Sequence, residues 1–320
     1  MQTQQEFLTL RDHMKTVIVG QEHLIDCIMI GVLTGGHLLL EGPPGLAKTT
    51  AVKTLSSGVH ASFQRIQFTP DLMPSDLTGS DVFDPKNNAF EFIAGPLFHE
   101  IILADEINRA PPKVQSALLE AMEEKQVTVS RHTHVLPELF IVMATQNPLE
   151  QAGTDPLPEA QLDRFLVHVP LGYPDEDEEL LILQRDRKTH FGDDVNTKET
   201  RLTPETVLRA RHEVAEIHIE PALEQYIIQL VHATRDIGKW VSEWQDYVNF
   251  GASPRASLAL VRSASAYAYL HGRDYIVPDD IIAIARNVLR HRILLNYTAQ
   301  ANQIRSDDII DRLIELVPIP

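Results

Sequence analysis

The segment from Glu41 to Thr49, which reads EGPPGLAKT, constrains the fold of this chain more than any other. It follows the apolar run from His37 to Leu40 and leads into a helical pattern over residues 51–55. A strand, a glycine-bearing loop and a helix that carries Lys-Thr form the local architecture that cradles nucleotide phosphates. The glycines allow close approach of the backbone, and the first amides of the helix point at the phosphates, where the helix dipole adds attraction. The sequence therefore predicts a phosphate-binding loop between a strand and a helix.

Two side chains of this loop have predicted roles. We expect Lys48 to reach the β- and γ-phosphates and the hydroxyl of Thr49 to bind magnesium. The usual pattern has glycine just before the lysine, whereas this chain has Ala47, whose methyl group is tolerable at the ordinary helical φ of a helix start. The alternative is a strand, turn and helix in which the glycines and the lysine are incidental. The predicted nucleotide contacts of the loop are Gly42, Pro43, Pro44, Gly45, Leu46, Ala47, Lys48, Thr49 and Thr50.

A second motif is an apolar run from Ile101 to Ala104 that ends in two carboxylates, Asp105 and Glu106. Nucleotide hydrolysis needs such a pair: Asp105 can hold the magnesium shell, and Glu106 can orient and polarise the attacking water. The alternative is that the pair merely ends a strand and caps the next helix. Its position behind a wholly apolar strand, downstream of a phosphate loop, favours the hydrolytic interpretation.

Composition limits the class of protein and of partner. A length of 320 residues suits two domains of ordinary size, and 43% hydrophobic with 23% charged residues is typical of a folded protein. The net charge of −17 argues against a broad nucleic-acid surface, which needs clustered Lys and Arg, and favours a protein partner. The net charge does not exclude a local basic channel within a ring-shaped assembly of several copies.

Cysteine usage and hydropathy indicate the compartment. The single cysteine, Cys27, excludes an internal disulfide and suits a reducing compartment. The amino terminus lacks a basic segment followed by an apolar one, and no apolar stretch is long enough to span a membrane. We therefore predict a cytoplasmic protein without membrane insertion.

Five apolar runs are candidate strands: 38–40, 63–68, 101–104, 140–144 and 165–169. Most are continuous rather than alternating, which is expected of strands in a parallel sheet covered by helices on both faces. Helical patterns separate several of them, and crossovers should be right-handed. We predict an α/β domain over residues 1–170, with a parallel five-stranded sheet between helices.

From residue 171 onward the patterns predict helices alone. An acidic helix start follows Pro174, and Thr203-Pro204 and Ser253-Pro254 each place a capping residue before a proline. Residues 171–320 are therefore predicted to form a helical second domain.

Two inserts in the first domain are predicted hairpins. Residues 69–97 carry two short apolar strands around a turn at 84–88, and their exposed apolar side chains serve either hairpin packing or a substrate-facing loop. Residues 126–136 form the second hairpin. It contains His132 and His134, which we interpret as surface strand residues rather than metal ligands, because no third ligand is near.

Three further polar residues complete the candidate site. Asn147 follows the run 140–144, so its amide is expected at the carboxyl edge of the sheet near the γ-phosphate, although Asn-Pro is also a common turn starter. Arg164 precedes the last strand and either forms a structural ion pair or faces the nucleotide of a neighbouring subunit. Arg255 lies in the first turn of a helix, where a cation opposes the helix dipole and should have an anionic partner such as a phosphate.

With these elements in place, the chain resembles the MoxR family of AAA+ ATPases over nearly its full length. The segments that carry the resemblance are GPPGLAKT at 42–49, ADEINRAPP at 104–112, QSALLEAME at 115–123, ATQNP at 144–148, EAQLDRF at 159–165 and SPR at 253–255. The resemblance implies an AAA+ P-loop core with hairpin inserts and a C-terminal all-helical lid domain. It also implies a hexameric ring in which the adjacent subunit completes each site.

The resemblance assigns roles to individual residues. Lys48 and Thr49 would be the phosphate-loop pair, Asp105 and Glu106 the Walker B carboxylates, and Asn147 sensor 1. Arg164 would be the arginine finger given to a neighbouring subunit. Arg255 would be sensor 2, with action on its own or a neighbour's nucleotide left open. The segment Val19-Gly20 matches the one that lies near adenine.

The sequence leaves three candidate functions. The first is an ATP- and Mg²⁺-dependent, chaperone-like remodelling enzyme, whose partners, as the family resemblance implies, include proteins with von Willebrand factor A domains and targets that need maturation or metal-cofactor insertion. The second is a DNA-remodelling motor, which the acidic balance disfavours. The third is a nucleotide-gated binding module that scarcely hydrolyses ATP, which the complete set of hydrolytic residues disfavours.

Overall fold

The computed structural model describes residues 2–43, 46, 48–148, 153–190 and 202–320. The helices are α1 Gln2–Val17, α2 Glu22–Thr34, α3 Lys48–Gly58, α4 Pro74–Thr78, α5 Pro112–Glu124, α6 Glu159–Leu162, α7 Glu176–His190, α8 Pro204–Ala215, α9 Pro221–Ala233, α10 Pro254–Leu270, α11 Pro278–Leu289, α12 Tyr297–Ala301 and α13 Ser306–Leu316. The strands are β1 Leu38–Glu41, β2 Phe63–Gln67, β3 Gly79–Asp84, β4 Ala89–Ala94, β5 Ile101–Asp105, β6 Gln126–Val129, β7 His132–Val135, β8 Ile141–Gln146, β9 Val167–Pro170, β10 Val248–Phe250 and β11 Leu294–Leu295. No helix in these described ranges combines the length and the apolar composition needed to cross a membrane.

The chain divides into two compact units. The first unit comprises Met1–Met29, Leu39–Pro156 and Val169–Leu208, and the second comprises Ile30–Leu38, Leu157–His168 and Arg209–Pro320. The boundary between residues 170 and 171 stays a prediction from the sequence.

The main sheet has five strands in the order β2-β5-β8-β1-β9, which confirms the predicted parallel five-stranded sheet. The pairs β2–β5 and β5–β8 are parallel, with Gln67 beside Asp105 and Ala104 beside Ala144. β5 and β8 are buried along nearly their whole length, as expected for central strands with helices on both faces. This register brings the polar carboxyl ends of β2, β5 and β8 to one edge.

Local sequence signals explain several helix starts and faces. Helix α7 begins as its acidic sequence predicts: the Asp175 carboxylate accepts from the Glu178 amide at 2.8 Å, and the Glu178 carboxylate accepts from the Asp175 amide at 3.0 Å. Helix α5 buries Val114, Leu118 and Met122 on one face, as its apolar spacing predicts.

Both predicted hairpins are present. β3 pairs antiparallel with β4 around a turn at 85–88, and β6 pairs antiparallel with β7. Phe83 and Phe90 make an edge-to-face contact at 5.4 Å between ring centroids on the first hairpin. The ring of His134, on the second hairpin, stacks on Phe92 at 3.8 Å, so this histidine packs against an aromatic ring of the first hairpin.

The second unit contains helices α9 to α13, which confirms the predicted helical C-terminal region. The prediction of helices alone is wrong in one detail, because β10 and β11 form a short antiparallel ladder with Val248 beside Leu295. Strands of three and two residues are too short to show an alternating pattern in the sequence.

A buried histidine of the second unit makes its stability depend on pH. Burial lowers the pKa of His291 well below its ordinary value, and the positive charge of Arg292 adds to the effect. The unfolded chain takes up this proton near pH 6.5, whereas the folded chain does not. The stability that the buried, neutral His291 contributes is therefore fully present above about pH 6.5. This contribution to the free energy of unfolding is lost as pH falls towards the lowered pKa.

We expect the His291→Gln variant to lose stability less steeply than the wild type between pH 7 and 5, by up to about 1.4 kcal/mol per pH unit. Glutamine can still donate to the Phe165 carbonyl, which His291 Nε2 contacts at 3.1 Å. Urea unfolding followed by tryptophan fluorescence measures this, since both tryptophans, Trp240 and Trp244, lie in the second unit. If the free energy of unfolding fell with pH at the same rate in the two proteins, the expectation would be contradicted.

Candidate nucleotide site

A cavity of about 370 Å³ lies in the first unit at the carboxyl edge of the sheet. It is lined by eight residues that the sequence predicts for a nucleotide site: Gly42, Leu46, Lys48, Thr49, Thr50, Asp105, Glu106 and Asn147. Four further residues that sequence reasoning missed also line it: Arg65, Gln67, Thr145 and Gln146. The structure thus brings the phosphate-loop residues, the two carboxylates and Asn147 into one cavity.

The phosphate loop leaves β1 at a position that excludes side chains. A Cβ atom on Gly42 would lie 2.7 Å from the Leu171 carbonyl oxygen, which makes glycine necessary there. The Gly42 amide donates to the Gln146 carbonyl at 3.2 Å, and the Leu171 amide donates to the Glu41 carbonyl at 2.7 Å. The start of the loop is therefore fixed to the ends of the strands on both sides.

Lys48 places a cation in the cavity. Its Nζ atom donates to the Gly42 carbonyl at 2.6 Å, so the side chain folds back over its own loop. Burial lowers the pKa of Lys48, while the charges of Asp105, Glu106 and Glu41 oppose that shift. An ammonium held beside a carbonyl and carboxylates is available to phosphate oxygens that enter the cavity.

Asp105 is held by both of its carboxylate oxygens. Oδ1 accepts from the Thr145 hydroxyl at 2.5 Å, and Oδ2 accepts from Arg65 Nη2 at 2.6 Å and from Arg65 Nε at 3.1 Å. The same Thr145 oxygen accepts from the Glu106 amide at 2.9 Å. Thr145 therefore ties Asp105, at the end of β5, and Glu106, which follows it, to the end of β8.

Glu106 has an unusual backbone conformation for a residue with a side chain. Its φ of 57° and ψ of 50° lie in the left-handed region, a strain that is typical of functional positions. Its Oε2 atom accepts from Gln67 Nε2 at 2.7 Å and pairs with Arg109 Nε at 3.1 Å. The backbone turn aims the carboxylate at the cavity, where two side chains of the same chain hold it.

The oxygen donors in the cavity suit a magnesium ion. Mg²⁺ prefers oxygen ligands and commonly binds through one carboxylate together with substrate phosphates. The Thr49 hydroxyl and the Asp105 carboxylate are such ligands, and both line the cavity with Lys48. The residues present therefore fit the metal predicted from the sequence.

Several of the other predicted site residues that the structure describes lie outside the cavity. Among the described residues, Val19, Gly20 and Pro43 do not line the cavity, and a Cβ atom on Gly20 would lie 2.6 Å from the Glu178 carboxylate. The predictions for Pro44, Gly45 and Ala47 fall outside the described residues. Arg164 and Arg255 belong to the second unit. There, Arg255 occupies the first turn of α10, behind Ser253 as capping residue, as the sequence predicts.

The sequence marks the missed residues on β2 only weakly. Arg65 and Gln67 alternate on β2, so they share a face of the strand, but no motif marks them. Only the pairing of β2 with β5, which puts Gln67 beside Asp105, shows that they meet the carboxylates.

Comparison with known proteins identifies the family. The ATPase family associated with various cellular activities (AAA) matches residues 37–167, and the AAA lid domain matches residues 244–313. The chain is 43% identical to Chaperone MoxR1 of Mycobacterium tuberculosis, over 96% of this chain and 80% of the relative. It is 32% identical to Protein MoxR of Methylorubrum extorquens, over 95% of this chain and 92% of the relative. This chain belongs to the MoxR family of AAA ATPases.

A solved structure of a similar chain has the same fold. The crystal structure of a candidate ATPase from Cytophaga hutchinsonii matches with a TM-score of 0.90 and 44% identity, over 99% of this chain and 96% of that one. The predicted AAA+ core with a helical lid is thereby confirmed.

Proposed function

We propose that this MoxR-family protein hydrolyses ATP with Mg²⁺ and uses the energy for chaperone-like remodelling of partner proteins. The observation that carries the proposal is the convergence of Lys48, Thr49, Asp105 and Glu106 in one cavity at the sheet edge. An ammonium, a hydroxyl and two carboxylates are the groups that phosphoryl transfer to water requires. The family membership and the name of the relative Chaperone MoxR1 support the remodelling role.

Five residues of the cavity have parts in the proposed reaction. Lys48 binds the β- and γ-phosphates, and the amides at the start of α3 attract them further. Thr49 and Asp105 would hold Mg²⁺, which neutralises phosphate charge when bound. Glu106 orients and polarises the attacking water. The side-chain amide of Asn147 lies near the γ-phosphate. We propose that Val19 and Gly20 lie near the adenine.

The proposed assembly is a hexameric ring with sites shared between subunits. Arg164 of one subunit would stabilise charge at the nucleotide of its neighbour. Arg255 would act as sensor 2. Proteins with von Willebrand factor A domains are the partners we propose, and maturation or metal-cofactor insertion is the proposed outcome. A cytoplasmic location fits the single buried cysteine, Cys27.

One observation favours a second candidate, a nucleotide-gated binding module that hydrolyses slowly. The hydrolytic carboxylates are engaged by the chain's own side chains: Asp105 by Arg65, and Glu106 by Gln67 and Arg109. Both contacts of Glu106 are made by Oε2, and the positive charge and the donated hydrogen bond there make the carboxylate a weaker base for the attacking water. A partner that stabilises this arrangement would keep the protein bound to ATP.

Replacing Lys48 tests the nucleotide site itself. We expect Lys48→Ala to bind ATP about 10–10²-fold more weakly, since a hydrogen bond to a charged group contributes about 1.5–3 kcal/mol. Titration with a fluorescent ATP analogue, with and without Mg²⁺, measures the affinity. The matched control is Lys53→Ala, an exposed lysine further along the same helix. Equal affinities in the two variants would show that the cavity is not the nucleotide site.

A further inference from the structure

The second unit contains a buried ion pair directly beside Arg164. Arg292 Nε donates to Asp163 Oδ1 at 2.7 Å, and only 3% of the Arg292 side chain is exposed. Burial lowers the pKa of Arg292, the Asp163 carboxylate opposes that shift, and the charge of Arg255 acts on Arg292 as well. A buried pair of this kind needs good geometry and full hydrogen bonding to be stable, and this one has both.

The guanidinium of Arg292 holds the backbone on both sides of Arg164. Its Nη2 atom donates to the Asp163 carbonyl at 3.3 Å and to the Phe165 carbonyl at 2.7 Å. Its Nη1 atom donates to the Leu166 carbonyl at 3.1 Å. The Phe165 side chain is fully buried, and the Arg164 amide donates to the Gln161 carbonyl at 3.2 Å. The position from which the Arg164 side chain leaves the backbone is therefore fixed.

The second oxygen of Asp163 reaches the start of α10. The Ser253 hydroxyl donates to Asp163 Oδ2 at 2.9 Å. The same hydroxyl oxygen caps α10 by accepting from the Arg255 amide at 3.2 Å. One carboxylate thus connects the turn that carries Arg164 with the helix start that carries Arg255.

We propose that Asp163 and Arg292 are positioning residues that hold Arg164 and Arg255 in a fixed relation, so that the two arginines act as one catalytic element. This inference rests on the proposed function, in which both arginines act on a bound nucleotide. The planar fork of arginine suits residue 292, because it binds a carboxylate and several carbonyls at once, which a lysine ammonium does not do in a fixed plane.

The first test is the steady-state kinetics of Asp163→Asn, a change that keeps the shape of the side chain and removes its charge. We expect kcat to fall by about 10–10²-fold, the cost of a small misplacement of a catalytic group, with KM for ATP and the light-scattering mass unchanged. The matched control is Asp280→Asn in the same unit. Asp280 forms a buried pair with Arg273 at 2.5 Å, and its variant should keep the wild-type kcat. Equal kcat values for the two variants would overturn the proposal.

Two further measurements separate positioning from a general loss of structure. Mixing Asp163→Asn with Glu106→Gln should restore activity, because the Glu106→Gln subunit supplies a well-placed Arg164 to the intact site of its neighbour. Asp163→Asn should also cost clearly less in the Arg164→Ala background than in the wild type, since part of its effect acts through Arg164. If kcat fell by the same factor in both backgrounds, or if activity did not recover on mixing, Asp163 would not act by positioning the Arg164 that is given to a neighbouring subunit.

If Asp163→Asn does not fold, Ser253→Ala provides the second variant. It removes the bond between the Asp163 carboxylate and the start of α10, together with the cap that the same hydroxyl provides to the Arg255 amide, and we expect a smaller fall in kcat with unchanged KM. A kcat equal to that of the wild type would refute the connection to Arg255. Wild-type hydrolysis and its loss in Arg164→Ala are measured first, so a failure of the proposed function is recognised separately.

Discussion

Replacing Arg164 with alanine is expected to lower the steady-state rate of ATP hydrolysis by about 10³–10⁵-fold, the range that an arginine finger contributes to phosphoryl transfer. Under the proposed function, the guanidinium stabilises charge that develops on the phosphoryl group bound by the neighbouring subunit. ATP affinity should change little, because this interaction strengthens only as charge develops. Phosphate release at saturating Mg·ATP measures the rate, and light scattering establishes that the variant still assembles.

The matched control for this variant is Arg262→Ala, which removes an exposed arginine from α10 in the same unit. It should hydrolyse ATP at the wild-type rate. A wild-type rate for Arg164→Ala would instead support the structural alternative for this residue. A large loss in both variants would point to a general effect of removing positive charge from the second unit.

The second large effect is expected for Glu106→Gln, which should hydrolyse ATP about 10²–10⁴-fold more slowly, as for the loss of a general base. Glutamine keeps the size of the side chain, and its amide oxygen can still accept from Gln67. It carries no negative charge, however, so it cannot polarise the water or pair with Arg109. The variant should bind ATP and hold it, which rapid filtration with labelled ATP can measure.

Glu120→Gln serves as its control, since Glu120 is an exposed residue on α5 of the first unit. This control should match the wild type in rate and affinity. If Glu106→Gln also hydrolysed ATP at the wild-type rate, the Glu106 carboxylate would have no role in hydrolysis. The water would then need another base.

The sequence predicted those parts of the fold that depend on local pattern. The runs 38–40, 101–104 and 140–144 are wholly apolar because their strands are buried on both faces, so each reads as a strand without knowledge of its neighbours. The end of β8 was not predicted: the strand continues through Thr145 and Gln146, whose polar side chains line the cavity. An apolar pattern cannot mark a strand end that serves a site.

The residues that the sequence did not reveal depend on long-range register. Arg65 meets Asp105 across 40 positions of the chain, and Arg292 meets Asp163 across 129. Neither pair carries a local signal, because a charged residue on an edge strand or near a helix end is ordinarily exposed. The left-handed backbone of Glu106 was likewise invisible, since non-glycine residues rarely adopt it.

The most direct test of the account is to mix Glu106→Gln with Arg164→Ala and measure steady-state ATP hydrolysis. Each variant alone should be nearly inactive. In mixed assemblies, a subunit with intact Glu106 can receive Arg164 from a Glu106→Gln neighbour, so activity well above that of either variant is expected. If the wild type hydrolyses ATP and light scattering with labelled subunits shows mixed assembly, yet no activity returns, shared sites between subunits are contradicted. If the wild type itself assembles and never turns over, the nucleotide-gated binding module is the better account.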